Sequence, residues 1–230
     1  MKQPPSCNCQ ECLFRQLMFE DLNIPELEII CRKKKELDIP KGESVIKEGD
    51  PIREFLYLKK GLVKLFKHNE NDQDQIISIA KPYDFVGLLS VFSDKHYNYS
   101  VTAIEDTTIC LIDLDAVKKI IRQNGRFALN LLEKISKTSD TIIKNNLEIG
   151  KKNLRGRIAY ILLLFANHIY EQDSFELPIS RKEIAELIEM TTENVIRILS
   201  EFRKDNIIGI TGKNIEIVDK PRLQKICDLG

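Results

Sequence analysis

Three thiols crowd the start of this sequence. Cys7, Cys9 and Cys12 fall within six residues, too close together to bridge one another as disulfides but well suited to gathering thiolates around a metal. Such a site needs a further ligand, and Cys31, Cys110 and Cys227 are scattered along the rest of the chain. Plainer readings stand beside this one: a zinc-binding or merely disordered tail, a thiol-based redox switch without metal, and, for a lone cysteine, a small apolar core residue. Cys31 and Cys227 are read as core residues of that kind. The histidines, His68, His96 and His168, are equally dispersed. A lone histidine such as His96 is ordinarily a loop residue.

A second pair of residues has chemistry of a different sort. Glu193 and Arg197 stand one helical turn apart. An arginine there can offer two N–H groups to guanine O6 and N7, while a glutamate can accept from cytosine N4. On an isolated helix the same spacing is an ordinary i,i+4 ion pair, so the surroundings have to decide. Ser180-Arg181-Lys182-Glu183 has the form of a capping box, in which the serine caps a helix and the glutamate bonds back to the cap. Ile184, Ala185 and Ile188 give that helix one apolar face, and Glu189-Met190-Thr191 reads as a brief turn before a second helix beginning near Thr192. There Val195, Ile198, Leu199 and Phe202 recur at i, i+3, i+4 and i+7 as the core stripe, which turns Glu193 and Arg197 outward. Two short helices joined tightly over about residues 180–206 form a helix-turn-helix. The stretch DNIIGITGKNIEIVD that follows reads as two strands about Thr211-Gly212-Lys213-Asn214, a wing whose Lys213 can touch phosphate. Ser180 is placed among the DNA-contacting residues along with Lys213.

The elements that must carry these groups are legible in outline. From about residue 37 to 113, short apolar runs such as FLYLKKG, LVKLFK, FVGLL and TTICLIDL are broken by turn residues, the pattern of an antiparallel sandwich or jelly roll. Between about 114 and 150 glycine and proline nearly vanish, which predicts one long helix. On it Leu132, Ile135, Ser139, Ile142, Asn146 and Ile149 alternate three- and four-residue steps, a heptad-like seam for pairing with a second copy, or for packing on the chain's own sandwich. The expected class is therefore α+β. A cysteine-rich extension at 1–20 precedes a β-sandwich sensor domain at 21–115, a dimerisation helix at 116–150 and a winged helix-turn-helix at 151–230.

Bulk properties set limits on the partners. Of 230 residues 43% are hydrophobic and 30% charged, the balance of a soluble globular protein with no membrane span. The N-terminus lacks the apolar core of a secretory signal, so the expected compartment is the reducing cytoplasm. Net charge is zero, with 13 basic against 12 acidic residues over 151–230. That balance does not suit a nonspecific nucleic-acid binder, but it suits a site-specific dimer with a few well-placed cations.

A sandwich, a long helix and a winged helix-turn-helix in that order resemble the CRP/FNR family of bacterial transcription regulators. The segment ISRKEIAELIEMTTENVIRILSEFRKDNII is similar to the family's signature, with Glu193 and Arg197 matching its base-reading pair and Thr192 a further reading position. Ile196 stands where the FNR branch has serine. The resemblance implies a homodimer on an inverted-repeat site, with a TGA-like half-site core and RNA polymerase as a partner. Members that bind cyclic nucleotides hold ribose and phosphate with Gly-Glu and Arg-Ser pairs. Here Leu88 replaces the glutamate and Asn98 the arginine, so cyclic AMP is not the expected ligand. Cys9 to Leu17 is similar to the cluster-binding segment of the FNR branch, and Cys110 falls at its distant ligand. That branch's third N-terminal cysteine aligns with Met18, which makes Cys7 the substitute. The resemblance thus implies a [4Fe-4S] cluster on Cys7, Cys9, Cys12 and Cys110 and an oxygen- or redox-sensing role. Competing readings are a sandwich that binds a small effector, a haem sensor of NO or O2 using His96, and a cupin-type enzyme. No His-x-His ligand set occurs in the sandwich, and catalysis is not expected.

Overall fold

The computed structural model describes residues 19–68 and 74–230. The chain divides into two compact units, one comprising Met1–His68 with Ile77–Thr141 and the other Asn69–Ile76 with Ile142–Gly230.

The first unit is built on two four-stranded antiparallel sheets. One has the order β1 (Lys34–Ile39), β8 (Thr107–Asp113), β3 (Glu54–Lys60), β6 (Phe85–Val86); the other has the order β2 (Ser44–Ile46), β7 (Ser100–Ala103), β4 (Val63–His68), β5 (Asp74–Ala80). Strands β3 and β8 lie side by side with Tyr57 opposite Cys110 and Leu58 opposite Ile109. Both strands are buried on both faces. Leu56, Leu58 and Ile109 enter the sandwich interior beside Val63, Leu65 and Val101, while Phe55, Tyr57, Cys110 and Ile112 enter a second core roofed by helices. Burial on two sides accounts for the near-continuous apolar runs FLYL and TICLI, which lack the alternation of a half-exposed strand. Gly61 turns β3 into β4 at φ +82°, and a Cβ there would meet the Asp106 carbonyl at 2.5 Å. Only glycine fits that turn.

The helical roof consists of α1 (Ile24–Arg32), α3 (Leu114–Gln123) and the first half of α4 (Gly125–Lys151). A short helix α2 (Leu88–Val91) follows β6, so FVGLL, read from sequence as a strand, is a two-residue strand and a helical turn. The single long helix expected over 114–150 is two helices, broken at Asn124. Its backbone is extended (φ −121°, ψ 95°), and its Oδ1 accepts from the Phe127 amide at 3.0 Å, which caps α4. Its Nδ2 donates to the Asp21 carbonyl at 3.2 Å and to Glu26 Oε2 at 3.1 Å. Glu26 is also the returning carboxylate of the Asn23 capping box of α1. Phe19 stacks on Phe127 with ring centroids 5.8 Å apart, which seats the start of the described chain in this same core.

In the second unit α5 (Leu154–Leu164) runs into a π-helical turn (Phe165–Ile169). Next come β9 (Ser174–Glu176), α6 (Arg181–Leu187), α7 (Thr192–Lys204), the hairpin β10 (Ile208–Thr211) and β11 (Asn214–Ile217), and α8 (Lys220–Leu229). The three strands form a sheet of order β10-β11-β9, and α8 packs along α5. Asn124→Ala removes a helix cap and the tie to the 19–26 segment at once. It is expected to cost about 1–3 kcal/mol of stability, measured by denaturant unfolding.

Candidate nucleic-acid interface and sensor core

Helix α6 starts with the capping box read from sequence. Ser180 Oγ accepts from the Glu183 amide at 3.2 Å and Glu183 Oε2 from the Ser180 amide at 2.8 Å. The helix ends at Glu189, a non-glycine residue at φ +53°, with the Met190 amide donating to the Ala185 carbonyl at 2.9 Å, a left-handed stop of the Schellman kind. That backbone costs an L-residue about 1–2 kcal/mol, and it has support from outside the motif. Arg157 on α5 donates through Nη1 to the carbonyls of Ile188 at 3.0 Å and Glu189 at 3.3 Å. These are the end carbonyls of α6, which have no acceptor role inside the helix.

Thr191 caps α7, its Oγ1 accepting from the Asn194 amide at 3.3 Å. Val195, Ile198, Leu199 and Phe202 are all buried, so the apolar stripe read from the sequence is the face that packs. Glu193, Ile196 and Arg197 are exposed and Thr192 is half-buried. Arg197 does not turn back to Glu193. Its Nη1 donates to Glu201 Oε1 at 2.6 Å and its Nη2 to Asn194 Oδ1 at 3.2 Å. In the wing, Thr211 to Asn214 close the β10–β11 hairpin with Gly212 at φ +64°. Lys213 is exposed at its tip, its carbonyl held by the Leu177 amide at 3.0 Å. Arg181, which sequence reasoning passed over, lies with Nη2 3.5 Å from the Gly212 carbonyl. Partial burial there lowers its pKa from the ordinary guanidinium value.

Helix α4 carries two apolar stripes. Ile135 packs against the first unit's helical core and Ile149 is buried, so these two of the six seam residues face their own chain. Ile142 is half-buried, Asn146 exposed, and Ser139 bonds back to the Ile135 carbonyl at 3.0 Å. The large apolar side chains left exposed are Leu129, Leu132, Ile143 and Leu147. Only Leu132 belongs to both sets.

Cys110 is fully buried, and Cys31 packs at the edge of the same core. Cys227, on the inner face of α8, is buried, and burial raises its thiol pKa. Cys7, Cys9 and Cys12 lie outside the described residues. Among the described residues no three His, Cys, Asp or Glu side chains gather at one point. His96 is exposed in an isolated bridge with Pro51, and His68 stands edge-on to Phe66. Inside the sandwich Tyr97 and Tyr99 are buried. Burial, with Tyr99 and the carboxylates of Glu54 and Asp50, pushes the Tyr97 hydroxyl pKa up to about 12. Gly87 (φ +84°) lies where a Cβ would touch the Tyr97 ring at 3.0 Å, and Asn98 is exposed, its Nδ2 3.4 Å from Asp94.

Residues 36–124 match the cyclic nucleotide-binding domain family and residues 156–226 the Crp-like helix-turn-helix domain family; the two together span well over half of the chain. The chain belongs to the CRP/FNR family. It is thus a DNA-binding transcription regulator of the CRP/FNR type, from a family whose members typically act as dimers. The fumarate and nitrate reduction regulatory protein of Vibrio cholerae is 27% identical over 236 residues, covering 97% of this chain and 91% of that one. Electron transport regulator A of Shewanella oneidensis is 26% identical over 225 residues, covering 94% and 88%. Among solved structures FixK2 from Bradyrhizobium japonicum has the same fold, with a TM-score of 0.76 at 24% identity over 84% of this chain and 96% of that one. No helix among the described residues is long and apolar enough to cross a membrane. The Ser180 hydroxyl satisfies an amide at the start of α6 that has no partner inside the helix. Ser180→Ala is expected to cost about 1 kcal/mol, read as a lower midpoint in thermal unfolding.

Proposed function

We propose that this CRP/FNR regulator senses oxygen or cellular redox state through a [4Fe-4S] cluster held by Cys7, Cys9, Cys12 and Cys110, and reads an inverted-repeat DNA site as a homodimer. The observation that carries the sensing half is the place of Cys110. It points away from the sandwich interior into the helical core that also receives Phe19. Phe19 follows Cys12 by seven residues, a span of at most about 25 Å, so the thiol of Cys12 is tethered to that core by a short stretch of chain. An apolar surround with little water suits thiolate ligation of an iron–sulfur cluster. When bound, such a cluster supplies an oxygen-labile centre. Leu131 and Ile135 of α4 pack in the same core as Cys110, so a displaced Cys110 side chain is felt directly by the helix. The names of the Vibrio and Shewanella relatives, drawn from fumarate and nitrate reduction and from electron transport, support a redox signal.

On the output side Glu193 and Arg197 read base edges from the exposed face of α7, with Thr192 and Ile196 beside them. Ser180 and Lys213 approach the phosphate backbone. The exposed stripe of Leu129, Leu132, Ile143 and Leu147 adds to the pairing surface that the sequence places on α4. With two such chains on DNA, RNA polymerase is the expected partner.

Arg197→Ala is expected to weaken specific binding by about 1–3 kcal/mol and to relax one base pair per half-site, measured by titrating duplexes substituted at each position. Unchanged affinity and preference would sink the register proposed here. Anaerobic protein reconstituted with iron and sulfide is expected to show a broad visible absorption that bleaches in air and is lost in Cys110→Ala. Colourless, iron-free protein overturns the cluster.

A further inference from the structure

Arg197 is held by more than a surface ion pair. Glu201 stands one turn further along α7 and divides its carboxylate, with Oε1 accepting from Arg197 Nη1 at 2.6 Å and Oε2 accepting from Arg155 Nη1. Arg155 comes from α5, behind the reading helix, and is fixed in two further ways. Its guanidinium carbon lies 4.8 Å over the ring of Phe202, which is fully buried, and its Nη2 reaches Asp205 Oδ2 at 3.3 Å.

An isolated i,i+4 pair between two long side chains leaves both mobile and contributes little. Glu201 is different, because its far oxygen is gripped by a cation that an aromatic ring and a second carboxylate already hold. Asn194 Oδ1 accepts from the other terminal nitrogen of Arg197 at 3.2 Å. A guanidinium has five N–H donors. With one taken on each terminal nitrogen, one remains on each, the pair that the O6 and N7 of guanine accept side by side.

We propose that Glu201 is a positioning residue for sequence recognition: clamped by Arg155, it holds Arg197 with its two outer N–H groups presented to a guanine edge. The proposal rests on the reading of Arg197 as a base-contacting residue. Glu201 also offsets part of Arg197's charge, so its loss leaves attraction to phosphate unchanged or stronger while the guanidinium loses its orientation. Discrimination and nonspecific affinity should therefore part company.

The test uses the full-length protein and a duplex that the wild type selects from a random-sequence pool, together with every single-base-pair substitution of it. Binding is followed by fluorescence anisotropy at fixed salt. Arg197→Ala first identifies the base pair that Arg197 reads. Glu201→Ala is expected to lower discrimination at that base pair roughly three- to tenfold, with affinity for unrelated duplex unchanged or increased. Glu201→Gln keeps the shape but only one acceptor oxygen and sets an amide NH2 against one of the two guanidiniums, so it should lose part of the discrimination. Arg155→Met should move discrimination in the same direction as Glu201→Ala. In an Arg197→Ala background, Glu201→Ala should have no further effect at that base pair. Full discrimination in both Glu201 variants, while Arg197→Ala abolishes it, overturns the positioning role and leaves the reading of Arg197 intact. Equal losses of specific and nonspecific binding in Glu201→Ala indicate a merely structural residue and overturn it too. If Arg197→Ala changes discrimination nowhere, the reading falls first and the proposal with it. Should Glu201→Ala fail to fold, the near-isosteric Glu201→Gln decides alone.

Discussion

The pairing of β3 with β8 is the constraint on which the first unit depends. Each strand sends alternate side chains into two different apolar cores, so neither core forms without the other. Tyr57 and Cys110, opposite one another, face the helices, while Leu58 and Ile109 face the sandwich. A one-residue slip of either strand would exchange the two sets and put Cys110 inside the sandwich. The register of one ladder therefore decides which layer Cys110 belongs to, and with it whether Phe19 shares a core with that thiol.

The second unit solves a different problem, that of offering polar groups on a helix which is itself held rigidly. Four side chains of α7 are buried completely or nearly so, which leaves little rotational freedom about its axis. Asn206 at φ +55° ends the helix, and the Ile207 amide returns to the Phe202 carbonyl at 2.9 Å, so the chain leaves toward the wing in a fixed direction. Base-edge recognition needs geometry good to a fraction of an ångström. In the proposed reading it would come from apolar packing on one face and a charged clamp at the boundary between faces.

Much of this was legible in the sequence because it depends on local pattern. The Ser180–Glu183 box, the stripe of α7 and the glycine at the wing tip each follow from residues within one or two turns of each other. The break at Asn124 was not. Asparagine is tolerated within helices as well as at caps, and the partners that fix its role here, Asp21 and Glu26, lie about a hundred residues away. Helix α4 was read only in part for a related reason. Two apolar stripes run along it, and a helical period does not say which of them the chain's own core will take, so Ile135 and Ile149 entered the expected seam while Leu129, Ile143 and Leu147 did not. Cys31 shares the core of Cys110 through tertiary contact alone. Arg155, Arg157 and Arg181 carried no signal, since an arginine's role is set by where its guanidinium reaches.

The two hydrogen bonds from Arg157 to the end of α6 bear on how far the reading head is a portable part. A helix-turn-helix is often thought of as a cassette that can be lifted from one protein to another. In this chain the joint between its helices has no glycine and is braced by a side chain from α5, the helix that also supplies Arg155. Cut out at the borders of α6 and α7, the pair would carry Glu193 and Arg197 but not the arginine that braces the joint between the helices. The smallest unit that can be inherited or transplanted whole begins at α5, some 25 residues before the capping box of α6.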